Sequence, residues 1–200
     1  MKVQEFMQTR TLKIALLGFS SVLLFGCSSA PKISYQDPNK IETISAEYGV
    51  TDLQMLAESM TRSLLQARVI MNSPTPPLVT VAPVKNKTNE YIDTSLITNK
   101  IETQLLKSGQ VRFAVRASDM ANQTGELTRQ NSGMYNKETA SKIGNMDGAK
   151  YRIEGEISSI IKADKNVKDV FYNLTLRLIN NESGTYEWQD EKEIRKQQRR

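Results

Sequence analysis

Two hydrophobic periods divide the chain near residue 150. From Asp52 to Met71, apolar residues recur at steps of three and four, which places them on one face of a helix with Asp52 as its expected N-cap. This first stripe consists of Leu53, Leu56, Met60, Leu64, Ala67 and Met71. A second stripe, at steps of four, consists of Ile97, Ile101 and Leu105. It predicts another helix, which Asp93 or Thr94 would cap and Gly109 would end.

Other elements before residue 150 are shorter. The sequence "LVTVAPV" (Leu78 to Val84) follows the breaker "SPTPP" and is apolar on both faces, which predicts a central strand that ends near Pro83. A polar loop, "KNKTNEYID", runs from Lys85 to Asp93. The remaining predicted elements are a strand over 111–115, a helix over 118–130, a loop over 131–135 and a helix from Asn136 through Ile143.

Alternation of apolar and polar residues marks the final third as an antiparallel meander. Tyr151 to Ile161 and Val170 to Leu178 alternate with a period of two, as strands with one buried face do. "NNESG" (Asn180 to Gly184) supplies the turn into a last strand, where Tyr186 and Trp188 are expected on one face, packed onto the core. The expected fold class is α/β (α+β), with a mixed, largely antiparallel sheet of four to five strands packed with about four helices.

The only cysteine, Cys27, directly follows an uncharged apolar run. That run, Ile14 to Phe25, is shorter than the roughly 20 residues of a membrane-spanning helix, so with its basic flank it predicts a cleaved export signal. "LFGC" at 24–27 resembles the bacterial lipobox, in which the cysteine sulfur is acylated. We therefore expect Cys27 to carry a membrane-anchoring lipid. With Ser28 after the cysteine, the resemblance implies, under the enterobacterial sorting pattern, transfer to the outer membrane. An ordinary signal peptide cut near Ala30 is the alternative.

Composition excludes most catalytic chemistry. The chain has no histidine, and its cysteine is assigned to the lipid, so a Ser-His-Asp triad, a Cys-His dyad and a usual zinc site are excluded. Ser-x-x-Lys matches at Ser29 and Ser159 lack the companion motifs of penicillin-recognising enzymes. Glu154 and Glu156 occupy alternate positions of one strand, which is typical of a solvated face. A net charge of +5 gives little indication of partners. We expect no enzyme activity, cofactor, metal, small-molecule substrate or nucleic-acid partner.

Four segments resemble a known family. "VAPVKNKTNEYIDT", "GAKYRIEGEI", "KDVFYNLTLRLIN" and "SGTYEWQDEKEIRK", in this order, are similar to the penicillin-binding protein activator lipoproteins of the LpoB family, over about residues 78–196. The resemblance implies a domain similar to the N-terminal domain of TolB, on an outer-membrane lipoprotein facing the periplasm. It also implies a non-enzymatic activator that binds a bifunctional class A penicillin-binding protein and stimulates peptidoglycan synthesis. An envelope-assembly or secretion lipoprotein using the same domain is the alternative.

The sequence also predicts an organisation and a binding site. We expect a lipoprotein signal peptide (1–26), a lipidated N-terminus and flexible tether (27–51), a globular domain (52–196) and a basic tail (197–200). Extended at about 3.3–3.6 Å per residue, the tether would reach about 80 Å. For partner binding we expect Lys87, Asn89 and Tyr91, because loops on a rigid sheet are common binding elements. The alternative is that this loop only caps the second helix.

Overall fold

The computed structural model describes residues 33–199. Within this range, residues 38–199 belong to one compact unit and residues 33–37 to another, because the chain divides between Asp37 and Pro38. The predicted signal peptide and the predicted lipidation site at Cys27 lie outside the described residues, as does Arg200.

Four α-helices and six strands make up the described chain, together with a 3₁₀ turn at Ala117–Asp119. The helices are α1 (Val50–Leu65), α2 (Arg68–Met71), α3 (Thr94–Ser108) and α4 (Met120–Gln130). The strands are β1 (Leu78–Val81), β2 (Lys85–Lys87), β3 (Arg112–Phe113), β4 (Tyr151–Ala163), β5 (Val167–Asn180) and β6 (Tyr186–Arg199).

The strands form one mixed sheet in the order β3-β1-β4-β5-β6. The long strands β4, β5 and β6 are antiparallel neighbours, whereas β1 runs parallel to both β3 and β4. β2 was expected to be loop, but it pairs in parallel with Glu156–Ser158 of β4. Pro83 separates β1 from β2 because proline has no N–H for the ladder. The predicted mixed α+β fold is confirmed, with one strand more than expected.

Helices α1 and α3 contact each other, and α1 also packs on β6. The predicted stripes supply the buried side chains, because the period of 3.6 keeps them on one face of each helix. The buried residues of this layer include Leu56, Met60 and Leu64 from α1, and Ile97, Ile101 and Leu105 from α3. Opposite them lie the alternating residues Ile153 and Ile157 of β4, and Leu174, Leu176 and Leu178 of β5.

The first helix begins and ends differently from the prediction. Gly49 is its N-cap, and the Asp52 carboxylate reaches back to accept a hydrogen bond from the Gly49 N–H at 2.8 Å. The stripe breaks at Ala67, whose extended backbone (φ −63°, ψ 134°) separates α1 from the short helix α2. As a result Ile70 is buried and Met71, a member of the predicted stripe, is 59% exposed.

The second half of the predicted tether belongs to the compact unit. The Gln54 side chain donates to the Pro38 carbonyl at 2.9 Å, and the Glu42 N–H donates to the Thr51 hydroxyl at 2.8 Å. Ala46 is buried in the core. The chain that separates Cys27 from this unit therefore ends at Pro38, not at Thr51.

The predicted helix from Asn136 through Ile143 is wrong. Asn136 caps only a turn, through its side chain to the Glu138 N–H at 2.9 Å and its carbonyl to the Ala140 N–H at 3.0 Å. The segment offers no apolar stripe, Ile143 is 67% exposed, and so short a helix is marginal without tertiary packing.

The last strand differs from the prediction at both of its ends. A register shift next to Trp188 places Leu178 opposite Trp188 but Ile179 opposite Tyr186, so Glu187 is the extra residue of a β-bulge. Trp188 packs against the core, whereas Tyr186 turns to the other face and is 65% exposed. Residues 197–199, expected in a basic tail, pair with β5 as far as Arg199 opposite Val167.

Candidate functional site

The polar loop (residues 85–93) begins with strand β2 and leads into helix α3. Its first three residues pair with the middle of β4, and its last residue, Asp93, caps α3 by accepting a hydrogen bond from the Ser95 N–H at 3.0 Å. Both ends of the loop are thus fixed to regular structure. The helix itself ends at Gly109, which has a left-handed conformation with φ of 69°. The predicted role as a helix cap is correct for Asp93.

Alternate residues of the polar loop, beginning with Asn86, bond to other groups of the same loop and hold its shape. The Asn86 side chain donates to the Glu90 carbonyl at 2.9 Å and accepts from the Thr88 N–H at 2.9 Å. The Thr88 hydroxyl accepts from the Glu90 N–H at 3.2 Å. The loop therefore satisfies its own polar groups, which fixes one conformation.

Glu90 connects the polar loop to the interior of the domain. One carboxylate oxygen accepts a hydrogen bond from the Tyr172 hydroxyl at 2.7 Å, and the other accepts from the Tyr48 N–H at 3.2 Å. The two tyrosine rings meet edge to face with centroids 5.7 Å apart. One side chain therefore joins the loop, strand β5 and the segment that precedes α1.

Burial changes the acidity of both tyrosines. Burial, followed by the neighbouring Glu90, raises the pKa of Tyr172 well above its ordinary value. Burial, followed by the Asp52 charge, raises the pKa of Tyr48 in the same direction. Both phenols consequently stay neutral throughout the range in which the protein is expected to work.

Lys196 also holds the N-terminal segment, here against strand β6, and we call its two bonds the Lys196 clamp. The Lys196 ammonium donates to the Asp52 carboxylate at 2.9 Å and to the Glu47 carbonyl at 2.5 Å. The Asp52 side chain is only 5% exposed, so both charges lose most of their contact with water. The ion pair between them offsets that loss.

The three predicted docking residues are the ones that the polar loop turns outward. Lys87, Asn89 and Tyr91 are all exposed, and Tyr91 is 96% exposed. Their side chains make no hydrogen bond or ion pair to the rest of residues 33–199. A fully exposed tyrosine on a fixed loop suits partner binding, because tyrosine offers a large contact area at a small cost in side-chain entropy.

Sequence reasoning missed Glu90, Tyr172 and Tyr48 as the residues that position the loop. Tyr172 carried one usable signal: it occupies a core position in the alternating pattern of β5, and a buried tyrosine hydroxyl needs a hydrogen-bond partner. Nothing in the sequence identifies that partner as Glu90, which lies 82 residues earlier in the chain.

The residues considered for catalysis are engaged elsewhere. Glu154 forms an ion pair with Arg152 at 2.5 Å, and Glu156 lies 3.8 Å from Arg177. Ser159 and Lys162 are three apart on strand β4, so their side chains leave opposite faces of the sheet. Among residues 33–199 there is no cluster of acidic, histidine or cysteine side chains able to hold a metal ion. Over the same range, no helix has the length and apolarity to cross a bilayer.

Comparison with known proteins places this geometry in a family. The profile described as "Peptidoglycan-synthase activator LpoB" matches residues 52–194. The chain belongs to the LpoB family. The match includes β2, the polar loop, α3, β4, β5 and most of β6, whereas Tyr48 and Lys196 of this LpoB family member lie just outside it. The relationship inferred from the four sequence segments is confirmed.

The solved structures that match this chain include two LpoB proteins. The C-terminal domain of LpoB from Salmonella enterica is 16% identical, with 72% of this chain and 98% of that chain covered and a TM-score of 0.45. LpoB from Escherichia coli, solved by NMR, is 19% identical over 85% of this chain and 83% of that chain, with a TM-score of 0.43. Lipoprotein GNA1162 from Neisseria meningitidis is 14% identical over 61% and 84%, with a TM-score of 0.40. The search of curated proteins found no match. The similarity to TolB stays a prediction.

Proposed function

We propose that the protein is a lipid-anchored activator that binds a class A penicillin-binding protein through the polar loop and stimulates peptidoglycan synthesis without catalysing a reaction itself. The observation that carries the proposal is membership of the LpoB family across residues 52–194. The exposed, partner-free side chains of Lys87, Asn89 and Tyr91 on an internally bonded loop support this choice of contact site.

Activation by such a protein is a question of binding. A bound activator shifts its partner between two states only by the difference between its affinities for them. A loop already held in one conformation by Glu90 and Asn86 pays little ordering entropy when it docks, so more of its contact energy is available for that difference.

The proposed anchor is an acylated Cys27 in the outer membrane, with the domain facing the periplasm. Eleven residue steps separate Cys27 from Pro38, the first residue of the compact unit, and extended they span about 36–40 Å. This is half the reach expected from a tether ending at Thr51. A partner rooted in the inner membrane would therefore have to extend outward, or the periplasm would have to be shallow where they meet.

The anchor is tested with Cys27→Ala, because no other sulfhydryl in the chain can accept the lipid. We expect a soluble or unprocessed protein that takes up no radiolabelled palmitate. Continued incorporation of the label would contradict the lipoprotein assignment.

The docking site is tested by pull-down of class A synthases and by synthase activity with Tyr91→Ala. A matched control is Tyr35→Ala, since Tyr35 is equally exposed but lies in the other unit. We expect Tyr91→Ala to weaken binding about tenfold or more, as loss of an aromatic contact at an interface does. Normal binding by both variants would exclude the loop, and capture of only other envelope proteins would favour the assembly or secretion role.

A further inference from the structure

Basic residues collect at one end of the sheet, where β4 turns into β5 and β6 ends. We call this the hairpin end (residues 162–169 and 195–199). It holds six cationic side chains: Lys162, Lys165, Lys168, Arg195, Lys196 and Arg199. Four carboxylates lie at the same end, namely Glu47, Asp52, Asp164 and Asp169.

Each of the four carboxylates already has a partner inside the domain. Arg195 binds Asp169 at 2.5 Å, and Lys168 lies 3.5 Å from Glu47. Lys196 binds Asp52, as described above. Asp164 accepts the backbone N–H groups of Asn166 and Val167, both at 2.7 Å. The anionic groups of the hairpin end are therefore used within the fold.

Three cations at the hairpin end remain without an ion-pair partner among the described residues. Lys162, Lys165 and Arg199 are all exposed. Arg199 donates only to the neutral Gln197 side chain, at 3.2 Å, and Lys162 acts on Asp169 only at a distance, lowering the pKa of that carboxyl together with the dominant Arg195. Asp164 keeps its negative charge, because its partners are neutral backbone N–H groups, so the six cations and four carboxylates at the hairpin end leave a net charge of +2.

Exposed apolar surface lies directly beside these charges. Ile160 is 59% exposed, and it is paired across the strands with Phe171. These two residues line a shallow depression together with Lys162, Asp169 and Arg195. Cations next to exposed aliphatic and aromatic side chains are the combination that binds the interface of an anionic membrane.

The chain that leads to the proposed lipid enters the domain at this same end. Glu47 contacts both Lys168 of β5 and Lys196 of β6. The span available from Cys27 to Pro38 is about 36–40 Å, whereas the 14 residues of β5 alone measure about 45 Å. An anchored domain is therefore confined within about its own length of the bilayer.

We propose that the hairpin end docks on the membrane that carries the lipid, with Lys162, Lys165 and Arg199 binding the phosphates of anionic phospholipid headgroups. This inference uses the proposed anchor at Cys27 and does not depend on which synthase, if any, the polar loop binds.

The test uses the full-length lipidated protein in vesicles of phosphatidylethanolamine alone or with phosphatidylglycerol. Asn166→Cys provides a thiol for attaching a fluorophore at the tip of the turn, where the substitution removes no charge. Lipids that carry a quencher on the acyl chain report how deeply the fluorophore enters the bilayer. We expect strong quenching only when phosphatidylglycerol is present, and its loss in about 1 M NaCl, where the Debye length is about 3 Å.

Charge variants assign the effect to the hairpin end. Lys162→Gln/Lys165→Gln/Arg199→Gln should shift the docked-to-undocked ratio about a hundredfold, since each basic residue at an anionic surface contributes about fivefold. Lys100→Gln/Lys107→Gln/Lys137→Gln removes the same charge from exposed positions elsewhere and should leave quenching unchanged. Equal quenching in both triple variants, or in both kinds of vesicle, would overturn the proposal.

Three further readouts separate the remaining outcomes. Flotation with neutral vesicles reports the lipid anchor alone. Unlipidated protein, added from solution to the same labelled assay, reports binding by the hairpin end without the anchor. Co-sedimentation with purified peptidoglycan reports the other anionic polymer of the envelope. If the same three cations governed binding to peptidoglycan and not to vesicles, lipid docking would be wrong.

Discussion

At the scale of single residues, Glu90 has a structural role that its place in the sequence does not predict. It lies in a polar loop, yet its carboxylate serves a fully buried tyrosine hydroxyl and a backbone N–H from a distant segment. Removing one partner of such a bond leaves a buried polar group without a hydrogen bond, which costs about 1–3 kcal/mol.

We therefore expect Glu90→Ala to lower the free energy of unfolding by about 2 kcal/mol. In Glu90→Ala/Tyr172→Phe both partners are removed, so the double variant should cost less than the sum of the two single variants. Urea unfolding of the four proteins provides the measurement, and Glu138→Ala, in an exposed turn, provides the control. Strictly additive costs would show that the carboxylate and the phenol are not coupled.

Because the Tyr48 and Tyr172 phenols are buried, we expect the free energy of unfolding to fall in alkali. Their pKa values are raised in the folded protein, so the folded state holds both protons above pH 10, where unfolded tyrosines release theirs. The two phenols should leave stability unchanged below about pH 10 and then lower it by up to about 2.7 kcal/mol per pH unit, because the folded state holds two protons that the unfolded state releases. Denaturant unfolding at increasing pH checks this, and in Tyr48→Phe/Tyr172→Phe the slope should largely disappear.

At the scale of elements, the β-bulge at Glu187 separates two aromatic residues that the sequence pattern groups together. The shift turns Trp188 toward the core and Tyr186 toward solvent. Trp188→Ala should therefore cost about 2 kcal/mol, below the 3–5 kcal/mol of a fully buried tryptophan, because Trp188 is only half buried. Tyr186→Ala should change stability by less than about 0.5 kcal/mol. Thermal unfolding compares the two, and equal losses would argue against the bulge.

Two helix glycines should respond to alanine with opposite signs. Gly109 ends α3 with φ of 69°, a conformation that strains any residue with a Cβ atom, so Gly109→Ala should destabilise by about 1 kcal/mol. Gly125 lies inside α4, and a Cβ atom there would meet nothing within 4 Å. Gly125→Ala should stabilise by about 0.5–1 kcal/mol. Melting temperatures that move in the same direction would contradict this account.

The elements that the sequence predicts well are those whose pattern reflects burial on one face. The stripes of α1 and α3 and the alternation of β4 and β5 fall in this group, because the same core selects all of them. The turn at Asn136 was mistaken for a helix since a cap alone does not make one. The predicted docking residues of the polar loop are exposed, and their role in binding stays a prediction. Glu90 depends on a contact with Tyr172, and such long-range pairs leave no local signal.

At the scale of the whole molecule, the boundary at Pro38 makes the reach of the domain short. If the protein must bridge from the lipid proposed at Cys27 to a synthase in the opposite membrane, activity in cells should depend steeply on the length of residues 28–37. Deleting five of these ten residues should shorten the maximum span by about 17 Å and reduce activation, whereas flexible insertions should be tolerated. Synthase activity in cells measures this, with pull-down by each variant as the control for folding. Unchanged activity of the short variant would place lipid and partner on the same side.

The clamped N-terminal segment also has a mechanical consequence. Tension on the lipid proposed at Cys27 would reach the compact unit at Pro38 and load its contacts one after another. The first are the hydrogen bonds at Pro38 and Glu42, followed by the bond from Lys196 to the Glu47 carbonyl and then by the bond from the Tyr48 N–H to Glu90. Each contact carries the force only after the one before it has broken, so the contacts break one at a time and do not share the load. The bond that supports the polar loop is thus among the last to be loaded. A pull on the proposed anchor therefore extends the N-terminal segment before it disturbs the docking residues.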